Sequence, residues 1–137
     1  NSKEVRLAVL RGLMYTDGTT SPDGYATFCS VSSGLAEGVK QLVKSLGGSA
    51  RVRHHKNAHA GYYLVSINLP DDCPFLLKRK SDKWVQGKTI NSGKRTGIVS
   101  IKPTSEVVPT KCIAVDSPTE SYLIDGCVVT HNTTLFA

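Results

Sequence analysis

Long apolar runs are missing from this chain of 137 residues: none approaches the roughly 20 residues of a membrane-spanning helix. No signal-peptide pattern opens it, so no membrane partner and a cytoplasmic setting are expected. Cysteine pairs are missing too. Cys29, Cys73, Cys112 and Cys127 contain no Cys-x-x-Cys spacing, which argues against both a zinc site and a disulfide framework. A reduced setting leaves a thiol available for catalysis. Asn1 in place of Met is what a fragment or a processed product would show. The length suffices for one core or two small ones.

Acids are scarce at the front. Residues 1–95 hold fifteen Lys and Arg against seven acids, or +8, and residues 96–137 hold two against four, or −2, which together make the net +6. A basic front lobe and a mildly acidic back lobe imply two modules, the first facing a polyanion.

The chain opens with a helical pattern. Val5, Ala8, Val9, Gly12 and Leu13 recur at helical spacing, and Leu7, Leu10 and Met14 form a second apolar face. A helix apolar on two sides is expected to be buried on two sides. Ala8 and Gly12, one turn apart, would let another helix approach closely. The pattern stops at Thr16-Asp17-Gly18, which leaves a carboxylate at the negative end of the helix dipole. A metal cation would resolve that conflict.

Leu10-Arg-Gly-Leu-Met-Tyr-Thr-Asp17-Gly18 resembles the LAGLIDADG motif of homing endonucleases. The resemblance implies that this helix packs against a second copy and that Asp17 binds Mg²⁺ at a DNA phosphate. Tyr15 departs from the motif, which has Asp there. The residues after the motif fit one repeat of order αββαββα. Residues 24–32 alternate as a strand. Ser33 caps a helix carrying Leu35, Val39, Leu42, Val43 and Leu46, and Gly47-Gly48 ends it. Residues 50–55 and 61–69 are two further strands. Only one strand of the first pair is legible.

The later strand pair carries Arg51, Arg53, His54, His55 and Lys56, with Tyr62 and Tyr63 opposite. In the family such strands saddle duplex DNA, where phosphate contacts give affinity and base edges give specificity. By residue type alone, Arg51 and Arg53 equally fit a solvated strand face. With His59 the segment holds three histidines, but no Cys or carboxylate joins them, so a basic loop is expected rather than a metal site. Residues 74–86 read as a basic closing helix anchored by Trp84, and residues 87–97 as a polar linker. Gly87-Lys88-Thr89 is no phosphate loop, because Asp82 stands where the motif needs glycine.

The far end has chemistry of its own. Residues 97–102 and Ile113 to Asp116 read as short strands. Tyr122-Leu-Ile, an Asp125-Gly126 turn and Cys127-Val-Val form a hairpin that delivers His131-Asn132 to a strand end. An Asn amide can attack its own backbone carbonyl and release the downstream chain. A neighbouring His can protonate that peptide, and Thr133 offers a hydroxyl nucleophile. Asn132-Thr133-Thr134 also matches a glycosylation sequon, by chance in a chain with no secretory signal.

This ending resembles the C-terminal splicing segment of an intein: Asn132 last, His131 before it, Thr133 as the first host residue. Most inteins carry Asp where this chain has Cys112. That departure, with Thr130 before the His, looks like the class 3 inteins, in which this Cys attacks the upstream junction. As a residue alone, Cys112 also fits a buried strand thiol.

The resemblances together imply an α+β chain of four parts. A LAGLIDADG repeat occupies residues 1–90 and a linker 91–97. The C-terminal β-strands of a Hint splicing domain span 98–132, and 133–137 are host flank similar to the residues after Gly-Lys in a phosphate-binding loop. The implied activities are protein splicing through Cys112, Thr130, His131, Asn132 and Thr133, and Mg²⁺-dependent DNA cleavage through Asp17. Both need partners: duplex DNA, a second repeat, and an upstream or split intein segment. The alternatives are a dimeric DNA-binding or endonuclease module without splicing, and a splicing fragment with a degenerate nuclease.

Overall fold

A computed structural model describes residues 2–56, 61–86, 100–109, 113–116 and 118–131. The fold is mixed α+β with antiparallel sheets, and the chain divides into two units, Asn1–Ile90 and Asn91–Ala137.

In the first unit, helix α1 (Lys3–Thr16) starts at Ser2, whose hydroxyl accepts from the Val5 N–H. Its last turn runs directly into strand β1 (Gly18–Thr20). Gly18 is required there, since a Cβ at this position would lie 2.5 Å from the Met14 carbonyl oxygen. Strand β2 (Ala26–Ser30) pairs with β1, and helix α2 (Ser33–Ser45) comes next, capped by the Ser32 hydroxyl. Strands β3 (Ser49–His55) and β4 (Tyr62–Asn68) complete one antiparallel sheet of order β1-β2-β4-β3. A single helical turn, α3 (Lys78–Ser81), packs against β1. The order α1-β1-β2-α2-β3-β4-α3 is the expected αββαββα, including the strand that the sequence left illegible.

The core lies between the helices and one face of the sheet. Leu7, Leu10 and Met14 of α1 and Ala36, Val39 and Val43 of α2 meet Ala26, Phe28, Val65 and Ile67 of the strands. Burying each large side chain contributes about 1.5–3 kcal/mol.

Within this chain helix α1 buries one face; on the other, Val5 and Val9 are half exposed and a Cβ on Gly12 would meet nothing within 4 Å, which leaves room for the second copy expected there. One expectation for this unit fails. The closing helix shrinks from residues 74–86 to four residues. Arg79, Lys80 and Lys83 crowd like charge into about one turn. Beyond it the Val85 N–H bonds the Gly24 carbonyl instead of continuing a helix. Trp84 still anchors the segment, partly buried against the core.

In the second unit, β5 (Ser121–Ile124) and β6 (Val128–His131) form a hairpin in the register Ser121↔His131, Tyr122↔Thr130, Leu123↔Val129 and Ile124↔Val128. The turn takes three residues, Asp125–Cys127, rather than two. Gly126 and Cys127 both adopt left-handed φ, 75° and 60°, so Cys127 belongs to the turn and not to the strand. Residues 100–102 and 113–116 form no strand, although strands are expected over 97–102 and 113–116; residues 97–99 lie outside the described residues.

No helix among the described residues is long and apolar enough to cross a membrane.

Candidate functional site

Strand alternation gives the sheet a second face, opposite the core. Arg51, Arg53 and His55 of β3 point to it, beside Tyr62, Leu64 and Ser66 of β4 and Thr27 and Cys29 of β2. Both long helices pack against the other face, through the apolar core. Arg51 stands opposite Ser66 and Arg53 opposite Leu64, so no acid neutralises either across the strand. Among the described residues, no ion pair involves them. His55 stacks on Tyr62 with ring centroids 5.2 Å apart, on this same face. His54 is separated from the group. It shares the core-side parity of Val52 and stacks on Tyr63 at 4.7 Å. Lys56 is exposed just past the end of β3, and His59 lies outside the described residues.

Asp17 caps the C-terminus of α1 and is exposed. Its backbone carbonyl accepts from the Cys29 N–H, which locks the α1–β1 junction to β2. One carboxylate oxygen, Oδ2, accepts from the Thr16 hydroxyl at 3.0 Å, leaving Oδ1 open. The helix-dipole conflict at this tip has a partner that sequence reasoning missed. Lys80, only 8% exposed, donates from Nζ to the Met14 carbonyl at 3.0 Å and the Tyr15 carbonyl at 2.8 Å. A buried ammonium on the last carbonyls of a helix contributes up to about 2 kcal/mol. Burial pushes the Lys80 ammonium below the ordinary lysine value, Arg79 adds repulsion, and Asp17 opposes the shift. The only sequence signal was the run Lys78-Arg79-Lys80, which does not reveal which cation turns inward.

Mg²⁺ takes oxygen ligands, keeps several waters, and is commonly held by one or two carboxylates plus substrate phosphates. An exposed Asp17 with one free carboxylate oxygen fits as half of such a shared site. No group of three or more metal-ligating side chains occurs among the described residues.

At the other end, β6 places Thr130 beside Tyr122 and His131 beside Ser121. Cys112, Asn132 and Thr133 lie outside the described residues.

Residues 4–72 match the model of the LAGLIDADG-like domain. The chain belongs to this family. LAGLIDADG-like domains are DNA-binding modules of nuclease type that pair as dimers or tandem repeats. The chain is also similar to the replicative DNA helicase DnaB of Mycobacterium intracellulare, at 32% identity over 143 residues. That match takes in 98% of this chain but 24% of the helicase, so the chain spans about a quarter of the curated relative's length. No solved structure matches it significantly. The family match ends at Asp72, before α3, so the LAGLIDADG-like region leaves the Lys80 anchor outside its bounds.

Proposed function

We propose that the chain is the C-terminal part of an intein that carries a LAGLIDADG homing endonuclease repeat. The observation that carries this reading is order. Family-matched residues 4–72 precede a hairpin whose last strand ends at Thr130-His131, with Asn132 the next residue in the sequence. The lopsided match to a helicase is consistent with a module lodged in a larger host. Residues 133–137, which resemble the segment after Gly-Lys of a phosphate-binding loop, suit an ATP-driven host of that kind. Class 3 membership rests on Cys112 and Thr130.

In splicing, the Cys112 thiolate attacks the carbonyl of the upstream junction, forming a thioester and releasing the amine of the intein's first residue. The Thr133 hydroxyl then attacks that thioester, taking the acyl group and returning the thiolate. The Asn132 side-chain nitrogen attacks its own backbone carbonyl, closing a succinimide and breaking the peptide to Thr133, whose leaving amine takes a proton from His131. The freed amine finally attacks the ester to leave a normal peptide bond. Orientation dominates the Asn132 step, because nucleophile and target belong to one residue. The open hairpin supports the need for an upstream or split partner. Leu123 and Val129 lie 65% and 68% exposed on one face, and an isolated two-stranded hairpin is marginally stable.

In the endonuclease half, Asp17 would hold Mg²⁺ together with the equivalent carboxylate of a second repeat. The ion would supply Lewis-acid stabilisation of charge at the phosphate. The chain's own contributions are concrete: the outer sheet face docks the duplex through Arg51, Arg53, His55 and Lys56, and Lys80 fixes the helix end that carries Asp17. Val5, Ala8, Val9 and Gly12 supply the face for the second repeat. That same face supports the second reading, a dimeric DNA-binding or endonuclease module without splicing.

The test is intact mass after mixing the chain with an upstream splicing half. Ligated host product with loss of the intein mass supports splicing. The same product from Cys112→Ala would contradict class 3 while leaving the Asn132 chemistry standing.

A further inference from the structure

Between β1 and α3 lies a cavity of about 180 Å³ lined by Thr19, Thr20, Arg79, Lys80 and Lys83. Its wall carries three cations and no carboxylate. Lys78, the neighbouring cation that does not line it, is paired with Asp82 at 3.1 Å. Arg79 and Lys83 have no ion pair among the described residues. Lys80 is committed elsewhere: its Nζ donates to the Met14 and Tyr15 carbonyls, which places a buried positive charge in the cavity wall. The floor is rigid: the Thr20 hydroxyl donates to the Lys80 carbonyl at 2.9 Å, and the Thr19 and Thr27 hydroxyls bond at 2.7 Å. Three like charges around one recess repel one another unless an anion sits among them. The site also adjoins the α1 tip, since Thr19 stands two residues after Asp17.

The geometry points to this cavity as a phosphate subsite, filled by a backbone phosphate of bound DNA. Arg79 and Lys83 supply exposed donors, and the buried Lys80 adds fixed positive charge. A tetrahedral oxyanion accepts from several donors at once, and guanidinium with ammonium is a common phosphate-binding pair. The inference rests on the proposed DNA binding, and adds a second contact region, on the α3 side, to the Arg51–Arg53 face. It lies outside the family-matched residues except for Thr19 and Thr20.

The experiment uses the full chain, a mixed-sequence duplex and inorganic phosphate. Arg79→Ala with Lys83→Ala changes two exposed side chains and leaves the core and Lys80 in place. Duplex affinity should fall about tenfold, and the slope of log affinity against log salt should drop by about 0.9, the value for one phosphate. Arg79→Lys with Lys83→Arg should restore both. Inorganic phosphate should shift the backbone amide signals of Thr19, Thr20 and Lys80 saturably in the parent chain and not in the double alanine variant. If the duplex binds with unchanged affinity and slope in that variant, the subsite is wrong and DNA binding stands. If the parent chain binds no duplex but phosphate still saturates those amides, the DNA reading fails and the cavity is a site for free phosphate. Absence of the phosphate response together with an unchanged slope overturns the inference outright.

Discussion

Removing the Lys80 ammonium would leave the Met14 and Tyr15 carbonyls without their donor at the end of α1. Lys80→Met keeps the stem and deletes the charge, and should destabilise the first unit by about 1–3 kcal/mol, read from the urea midpoint. Its pH dependence has a definite sign. Burial holds the folded Lys80 below the 10.5 of a free lysine. The unfolded chain therefore binds more protons in the window just below that value, and this residue's contribution makes stability rise with pH there. That rise should be smaller in Lys80→Met; an identical pH profile would contradict the burial account. Asp17 is the other decisive residue. Asp17→Asn can keep the Thr16 hydroxyl bond through its amide oxygen while losing the charge. With a second repeat present it should abolish Mg²⁺-dependent cleavage and leave duplex affinity nearly unchanged. Retained cleavage would remove Asp17 from the mechanism.

Among the elements, β3 makes the sharpest claim. Arg51 and Arg53 share the outer face, so Arg51→Ala with Arg53→Ala should lower the salt slope of duplex binding by about two, with equal loss across sequences if both meet phosphates. Loss confined to particular sequences would instead place them on base edges. Legibility in the sequence varies by element. Helices α1 and α2 and strands β3 and β4 carry strong apolar periodicity, which locates them to within a residue or two. Strand β1 is invisible because Gly18-Thr-Thr is short and has no apolar residue; only its pairing with β2 makes it a strand. The residues 74–86 segment looks helical from its apolar and basic spacing, and clustered positive charge with the return to Gly24 limits it to one turn. At the site, Asp17 and the arginines are readable from type and position. Lys80 is not, because its role depends on a contact 66 residues away in sequence. The hairpin strands are legible, but the apolar pattern puts Cys127 in β6, whereas left-handed φ places it in the turn.

For the whole molecule, the exposed α1 face is a question of partnership. Val5 and Val9 lie 50% and 52% exposed on the stripe that includes Ala8 and Gly12. Val9→Asp should leave the first unit folded, since its core lies on the opposite stripe. It should prevent pairing with a second repeat, read as loss of the dimer or complex in sedimentation. Undiminished pairing would move the interface elsewhere. The central claim, however, joins the two ends of the chain: a DNA-directed repeat travelling with its own excision chemistry. That claim is tested most directly by intact mass of the Asn132→Ala protein mixed with an upstream splicing half. The account predicts no release of the intein and accumulation of a branched ester species joined through Thr133, which mild base hydrolyses. Normal release and ligation from Asn132→Ala would contradict it.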